Sequence, residues 1–323
     1  MERKGVAVAG SILVDNIYEI GAYPQAGELT QIRSIQRATG GLVSNNGIGL
    51  KKICPELPVY AVGKIGTDEI GRYALNEYLS AGVDISCVKT IEGEKTSFTD
   101  VMSVTGGQRT FFTYAGASAQ FGTDDIDWDK LNCKMLHLGY FLLLDKVDNG
   151  DGIKILQAAK KQGIKTSIDL VSENSDRYSI VLPCLPYVDN LVINETEASR
   201  LCGVGQTDDL ESLAKQLFSL GVKERVIIHT PSYGVCYNGE NTTMVCSFEL
   251  PDSFIKGNTG AGDAFCSGAL LGIYQGKTDE EILEMATVCA ACSLSQVDAT
   301  SGLNDYSQMQ EVCKNFGRKK ICL

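Results

Sequence analysis

Short apolar runs alternate with stretches of helical periodicity through most of the chain. "VYAVGKI" leads into "DEIGRYALNEYLSAG", "KMLHLGYF" into "GIKILQAAKKQG", "KTSIDLV" into a short helix and "VDNLVIN" into "ETEASRLCG", while "LESLAKQLFSLG" precedes "ERVIIHT". This β-α alternation predicts a mainly parallel sheet covered by helices on both faces. Two segments break the rhythm. Residues 12–37 read as extended, with "YPQAGE" as a turn, and residues 96–116, "TSFTDVMSVTGGQRTFFTYAG", alternate about Gly106-Gly107 as a β-hairpin does. Together they predict a small sheet, built from two excursions, that acts as a lid over the carboxyl ends of the main strands, where such folds bind ligands.

The amino terminus reads as a strand on Val6, Val8 and Ile12 rather than as a signal peptide, because Asp15 interrupts the apolar run. Near the other end, "NTTMVCSFEL" reads as one strand, and "KGNTGAGDAFCSGALLGIYQG" as a glycine turn that opens a helix at about Ala261. Gly276 stops that helix, and Thr278 with Glu281 forms a capping box for the next.

Composition narrows the class. A chain of 323 residues with 44% hydrophobic and 21% charged residues, seven prolines and no internal repeat is expected to fold as one unit, residues 1–323, with the lid inserted in the α/β body. The net charge of −11, without an extended basic patch, argues against nucleic acid as a partner. No apolar run approaches the roughly 20 residues that span a bilayer, so no membrane partner is expected. The cysteines lie scattered in apolar contexts, which fits buried thiols in a reducing cytoplasm. Cys289 and Cys292 form a CxxC inside a helical pattern and read as core residues, since a second such pair is missing and the chain has only two histidines. His137 and His229 sit in apolar strand contexts and are expected to pack in the core or at strand ends.

The glycine turn carries the chemistry. Gly257 to Gly262 has the glycines of a Walker A loop but continues Asp263-Ala264 where lysine and a hydroxyl residue belong. "GIYQGKT" fails the same pattern at Leu271, and a dinucleotide fingerprint fails at Phe265. What remains is a helix opening whose free N–H groups and dipole face an anion. A carboxylate beside a phosphate cannot serve by attracting it. Asp263 is therefore suited to take a proton from the nucleophile that attacks the phosphate. As a mere helix-dipole acid, it would leave the glycines before it unexplained.

"NTGAGDAFCSGAL" closely resembles the carboxyl-terminal signature of the PfkB carbohydrate kinases, the ribokinase-like family, usually written DTxGAGDxF. In "TGGLVSNNGIGL", Gly40, Gly41 and Asn45 match the amino-terminal pattern GGxxxN, and "GSILVD", "GTDEIG" and "NETE" follow the family's order. The resemblance covers nearly the whole chain. It implies a three-layer α/β/α ribokinase-like fold, Asp263 as the base that deprotonates a substrate hydroxymethyl group, and the amides of Gly260, Ala261 and Gly262 as an anion hole. It further implies that Asn194 and Glu197 organise Mg²⁺ and its waters near the ATP phosphates, with Glu197 acting through water. A solvated carboxylate in a helix's first turn is the plainer alternative for Glu197. Asp15 and Asn45 would grip substrate hydroxyls with the backbone of Gly40 and Gly41 close by. "GSILVD" would be the first strand, ending at Asp15, where a turn-former is the plainer alternative. Arg109 would reach a phosphate or sugar on lid closure, or else be a solvated charge on an edge strand.

The chain departs from the pattern in three places. Gly257-Asn258 replaces Asp-Thr, so a carboxylate linked to a monovalent cation is missing and potassium activation is left open. "HTPSYG" differs in the loop on the ATP side, and Leu13 replaces a polar residue of ribose-specific members. The expected activity is cytoplasmic, Mg²⁺-dependent transfer from ATP to a primary hydroxyl of a small sugar or sugar acid. Alternatives are a nucleoside kinase using Phe98, Phe111 and Phe112, a non-catalytic sugar- or nucleotide-binding protein, and, less well supported, a dehydrogenase. Pairing of lid sheets between two copies would give a homodimer.

Overall fold

A computed structural model describes residues 3–104 and 109–320; the Gly106-Gly107 turn lies outside the described residues. The first strand, β1 (Val6–Ala9), is buried at every position. Val6 and Val8 join one hydrophobic core and Ala7 joins another with Ala9, as expected of a strand covered on both faces. The chain then leaves the main sheet for β2 (Leu13–Ile20) and β3 (Ile32–Gly40), and returns through α1 (Gly41–Ile53), β4 (Val59–Gly66), α2 (Glu69–Ala81) and β5 (Asp84–Ile91). A second excursion, β6 (Ser97–Val104) and β7 (Arg109–Tyr114), ends in the short α3 (Gly116–Ala119). Alternation resumes with β8 (Met135–Phe141), α4 (Gly152–Lys161), β9 (Lys165–Leu170), β10 (Asn190–Asn194), α5 (Glu195–Leu201), α6 (Leu210–Ser219) and β11 (Arg225–His229). The remainder comprises β12 (Tyr233–Tyr237), β13 (Thr242–Cys246), β14 (Phe248–Glu249), α7 (Ala261–Gln275), α8 (Asp279–Ser293), α9 (Tyr306–Cys313) and β15 (Gly317–Arg318).

Nine strands form the main sheet in the order β13-β12-β11-β10-β9-β8-β1-β4-β5. Neighbours are parallel from β11 to β5, and only β12 and β13 run antiparallel at one edge. One core lies against α1, α2, α7, α8 and α9, the other against α4, α5 and α6. The expected α/β architecture, a large mainly parallel sheet between helical layers with a small separate sheet, is therefore present. The strand order reverses at β1 and β8, and the carboxyl ends there are the place for a site.

Two local features differ from expectation, and a third is set by burial. Asp15 does not end the first strand but is the third residue of β2, because the chain swings out of the main sheet at Gly10, whose φ of +147° and contact with the Gly139 carbonyl leave no room for a Cβ. "NTTMVCSFEL" divides at Ser247, where the chain stops pairing with β12 and begins pairing with β15. The segment "GLVSNNGIGLKKI" has weak helix propensity, yet it forms α1. Burial of every residue except Lys51 and Lys52, or partial burial of these two, outweighs the glycines.

The small sheet has the order β3-β2-β6-β7. Its register sets Asp15 beside Thr99 and Thr99 beside Thr113, while Ile17, Val101 and Phe111 form the next row on the same face. Arg109 shares that face by the period of two. Phe98 and Phe112 point to the other face, where Asn16 bonds Asp100 and Arg37, and Arg37 reaches Glu69 of α2.

Candidate active site

Gly260 caps α7 with φ +76°, and a Cβ there would lie 2.2 Å from that of Ala299. Only glycine suits both demands. The turn presents the first amides of a long buried helix, and Asp263 follows as its third residue. The Asp263 carboxylate is held on two sides. Asn45 Nδ2 donates to Oδ2 at 2.9 Å, and the Tyr140 hydroxyl stands 3.0 Å from each oxygen. Asn46 donates to the Asp263 carbonyl at 3.2 Å and to Ser267 Oγ at 3.2 Å, fastening α1 to α7. Burial pushes the Asp263 carboxyl up to about 7, with the charge of Asp169 adding to the rise, against the hydrogen bonds from Asn45 and Tyr140.

Tyr140 and Asp169 went unnoticed in the sequence. Tyr140 ends the straight part of β8 with φ +58°, and Leu142 follows with φ +78°. Such left-handed backbone is costly for side-chain-bearing residues and concentrates at functional sites. Asp169 Oδ1 secures this turn by accepting the Tyr140 N–H at 2.7 Å. The acid at the end of "KTSIDLV" was a visible cue for Asp169; nothing local marks Tyr140.

Asn194 and Glu197 form a reciprocal capping box at the start of α5, each side chain bonding the other's backbone N–H. Ser172 donates to Glu197 Oε1 at 2.8 Å and accepts from Asn194 Nδ2 at 2.9 Å. Glu197 is not the solvated acid of the plainer alternative. It is 4% exposed, and burial pushes its carboxyl up to about 7 against hydrogen bonds from Asn194 and Ser172. Asp169, Glu197 and Asp263 all line one cavity of about 170 Å³, which has no lysine or arginine in its wall. Oxygen donors facing a shared space without a positive side chain suit a hard divalent cation such as Mg²⁺.

That cavity meets a larger one of about 540 Å³ at Asn194, His229 and Gly262. Phe248, Leu250, Ile255, Phe265 and Leu294 give the larger cleft an apolar wall. His229 stacks on Phe265 at 4.7 Å between ring centroids, and burial lowers its pKa to about 4, so it stays neutral. This is the strand-end packing expected of it, now at the cavity wall.

Gly40 and Gly41 lead into α1. A Cβ at Gly40 would come 2.5 Å from Asp15 Oδ2, so glycine makes room for that carboxylate. Burial pushes Asp15 up to about 6, opposed by a hydrogen bond from Thr99. Asn45 Oδ1 is buried without a hydrogen-bond partner among the described residues. Arg109 is exposed, and its Nη1 donates to Thr259 Oγ1 at 3.2 Å, joining the small sheet to the turn before α7. The structure thus gathers Asn45, Tyr140 and Asp263 in direct contact, with Asn194 and Glu197 across the cavity, while Asp15 meets Gly40. Cys289 and Cys292 are buried helix residues as expected.

Residues 3–305 match the pfkB family carbohydrate kinase pattern. The chain is 26% identical over 315 residues to a ribokinase of Arabidopsis thaliana, covering 96% of this chain and 81% of the relative. It is 27% identical over 283 residues to an adenosine kinase of Saccharomyces cerevisiae, covering 84% of this chain and 82% of the relative. The structure of Arabidopsis thaliana ribokinase complexed with ribose and ATP aligns with a TM-score of 0.84 and 25% identity, over 97% of this chain and 99% of that one. Among the described residues, no helix is long and apolar enough to cross a membrane.

Proposed function

The chain belongs to the pfkB family of carbohydrate kinases, and from that premise we propose that it transfers the terminal phosphoryl group of ATP to a primary hydroxyl of a small sugar or sugar acid. The observation that carries this reading is the Asp263 carboxylate, set beside the helix-opening amides where a carboxylate-lined cavity meets an apolar cleft. The cleft suits a nucleobase, because a flat apolar group gains by leaving water and needs few polar contacts. Its phosphates extend toward Gly262. The amides of Gly260, Ala261 and Gly262 receive the migrating group, whose charge is spread over its outer oxygens.

Asp263 accepts the proton of the attacking hydroxyl. A carboxyl raised to about 7 is a stronger base than an ordinary one and is still substantially ionised near neutral pH. Asn45 keeps one carboxylate oxygen oriented through Nδ2 and leaves its buried Oδ1 free to accept a substrate hydroxyl. Asp15 grips further hydroxyls where Gly40 and Gly41 bring the backbone close. Arg109 braces the small sheet, as a lid, against the turn that carries Thr259. Bound through Asn194 and the water shell of Glu197, Mg²⁺ would offset the charge of the phosphates.

A sugar is favoured over a nucleoside by the register of the small sheet. Of the three aromatics that could flank a base, only Phe111 shares the face of Asp15; Phe98 and Phe112 point away. Leu13, packed against Gly40, supplies no polar group for ribose. ADP release measured across sugars, sugar acids and nucleosides tests the reading. Turnover of a sugar or sugar acid is expected; turnover of nucleosides alone replaces the substrate class, and no ATP-dependent turnover at all favours a binding protein. The exposed Ile35 and Phe112, on the face of the small sheet away from Asp15, also support pairing with a second copy. Sedimentation showing only monomer at micromolar concentration would remove that part.

A further inference from the structure

One turn beyond Asp263 on α7, Cys266 sets Sγ 3.5 Å from Nε2 of His137 on β8. The same nitrogen lies 3.3 Å from Oδ2 of Asp169 on β9. All three residues are buried, and their ligand atoms lie within 4.8 Å of one another. We infer that His137 Nε2, Asp169 Oδ2 and Cys266 Sγ form a binding site for a soft divalent cation of the zinc class, beside the place proposed for Mg²⁺ at Asn194 and Glu197 and sharing with it the cavity that Asp169 lines, and that its occupant inhibits the enzyme.

Two of the three ligand-to-ligand spacings are those of a coordination polyhedron, and the third, between Asp169 and Cys266 Sγ, lies within 4.8 Å. Tetrahedral zinc bonds of about 2.0–2.1 Å to nitrogen, 2.0–2.2 Å to oxygen and 2.3 Å to sulfur set edges of about 3.3–3.5 Å between nitrogen and oxygen and about 3.5–3.6 Å between nitrogen and sulfur. The observed separations of 3.3 and 3.5 Å fall on those edges without any movement of His137. The supporting contacts are also in place. Ser167 Oγ, 2.8 Å from His137 Nδ1, can accept that N–H and leave the Nε2 lone pair free. The Tyr140 N–H occupies Asp169 Oδ1 and leaves Oδ2 for the cation. Asp169 and Cys266 line the 170 Å³ cavity, which supplies a route in and a fourth position for water.

The donor set selects the ion. Thiolate and imidazole with one carboxylate oxygen suit zinc, whereas Mg²⁺ prefers an octahedron of oxygens. With its proton on Nε2, the metal-free imidazole can bridge the same atoms through hydrogen bonds. When a cation takes its place, the imidazole proton moves to Nδ1, the Cys266 thiol releases its proton to water, and the sulfur–metal bond forms, so one proton leaves per ion. An ion there fills part of the cavity that Asp263 also lines, and draws on the Asp169 oxygen that faces it.

Titration of the full chain with Co²⁺ tests the site, since tetrahedral thiolate-bound cobalt has a near-ultraviolet charge-transfer band and intense visible bands. One equivalent is expected to develop both. Cys266→Ser should abolish the ultraviolet band, and His137→Asn should weaken affinity at least about tenfold. Cys292→Ser should keep the band, which controls for a close thiol pair elsewhere, Cys292 and Cys313, whose sulfurs lie 3.8 Å apart. In ADP-release assays at fixed Mg-ATP and buffered free Zn²⁺, the half-inhibiting zinc concentration should rise at least about tenfold in Cys266→Ser relative to the wild type. No band in the wild-type protein, a band unchanged in Cys266→Ser, or a band lost in Cys292→Ser overturns the assignment. Should Cys266→Ser fail to fold, the wild-type spectrum and the His137→Asn titration decide alone. The cobalt readout does not depend on the role proposed for Asp263.

Discussion

The cavity around Asp263 and the cleft beside it share Asn194, His229 and Gly262, yet they are made of opposite materials. The smaller one gathers three carboxylates, two of which burial pushes up to about 7. The larger one is walled by Phe248, Leu250, Ile255, Phe265 and Leu294, and the charges on its rim include Lys319. On one side, buried like charges repel one another and favour a cation; on the other, apolar walls favour contact with a flat apolar group. A two-substrate transfer needs both. Contact in the cleft can fix the donor, while the interactions that change during reaction are confined to the polar side.

Replacing the charged side's central group should have the largest effect. Asp263→Asn keeps the shape and the Asn45 contact but removes the proton acceptor, so turnover should fall by roughly a hundredfold to ten-thousandfold. Binding of both substrates, read by calorimetry, should persist. Equal losses of binding and turnover would mean that Asp263 holds the site together rather than reacting.

What was legible in the sequence was whatever chemistry one short segment contains. The glycine turn and Asp263 belong to a single helix opening, and the pairing of Asn194 with Glu197 is a local cap, so spacing along the chain reports spacing in the fold. The hairpin's alternation likewise exposed the small sheet. Tyr140 and Asp169 escaped because their meeting depends on the pairing of β8 with β9 and on a left-handed turn that no residue type announces. The α1 segment escaped for a related reason, since burial rather than propensity makes it helical. Even Asp15, legible as an acid, lies on β2 rather than at the end of the first strand, because the chain leaves the main sheet at Gly10.

The apolar side is sharpened by crowding it. Ala290 lines the cleft and not the smaller cavity. Ala290→Leu should raise the KM for ATP by about tenfold and leave the KM for the sugar unchanged. An equal rise in both would show that the two cavities do not bind separately.

A smaller effect lies in the pH dependence of folding. Asp263 and Glu197 have raised carboxyl pKa values in the fold, so between about 4 and 7 the folded chain binds more protons than the unfolded one. Stability is therefore fully present below the unfolded pKa and falls as pH rises through about 7. Asp15, raised to about 6, acts in the same direction, whereas His229, lowered to about 4, acts in the opposite one below its ordinary pKa of 6.5. Denaturant melts of metal-free protein at pH 6.5 and 8 keep the opposing share of the histidine to about 0.4 kcal/mol. They should show a loss of about 0.8 kcal/mol from each of Asp263 and Glu197 and only about 0.2 kcal/mol from Asp15, and Asp263→Asn should remove its share. A stability that holds level over that range would mean that these carboxylates are better solvated than their burial indicates.

The smallest change concerns the brace between the small sheet and the turn before α7. Arg109 is exposed, and among the described residues its side chain makes a neutral contact to Thr259 Oγ1, so its removal withdraws no buried charge. Exposed contacts of this kind contribute about 0–1 kcal/mol, and Arg109→Ala should therefore lower kcat/KM by at most about fivefold if the arginine only steadies the lid. A direct contact with the migrating phosphoryl group would make the loss far larger and place it in kcat, because that interaction strengthens as charge develops on the outer oxygens. The comparison of kcat with KM in this variant thus separates a brace from a participant, and a large loss in kcat would extend the polar side of the site across to the small sheet.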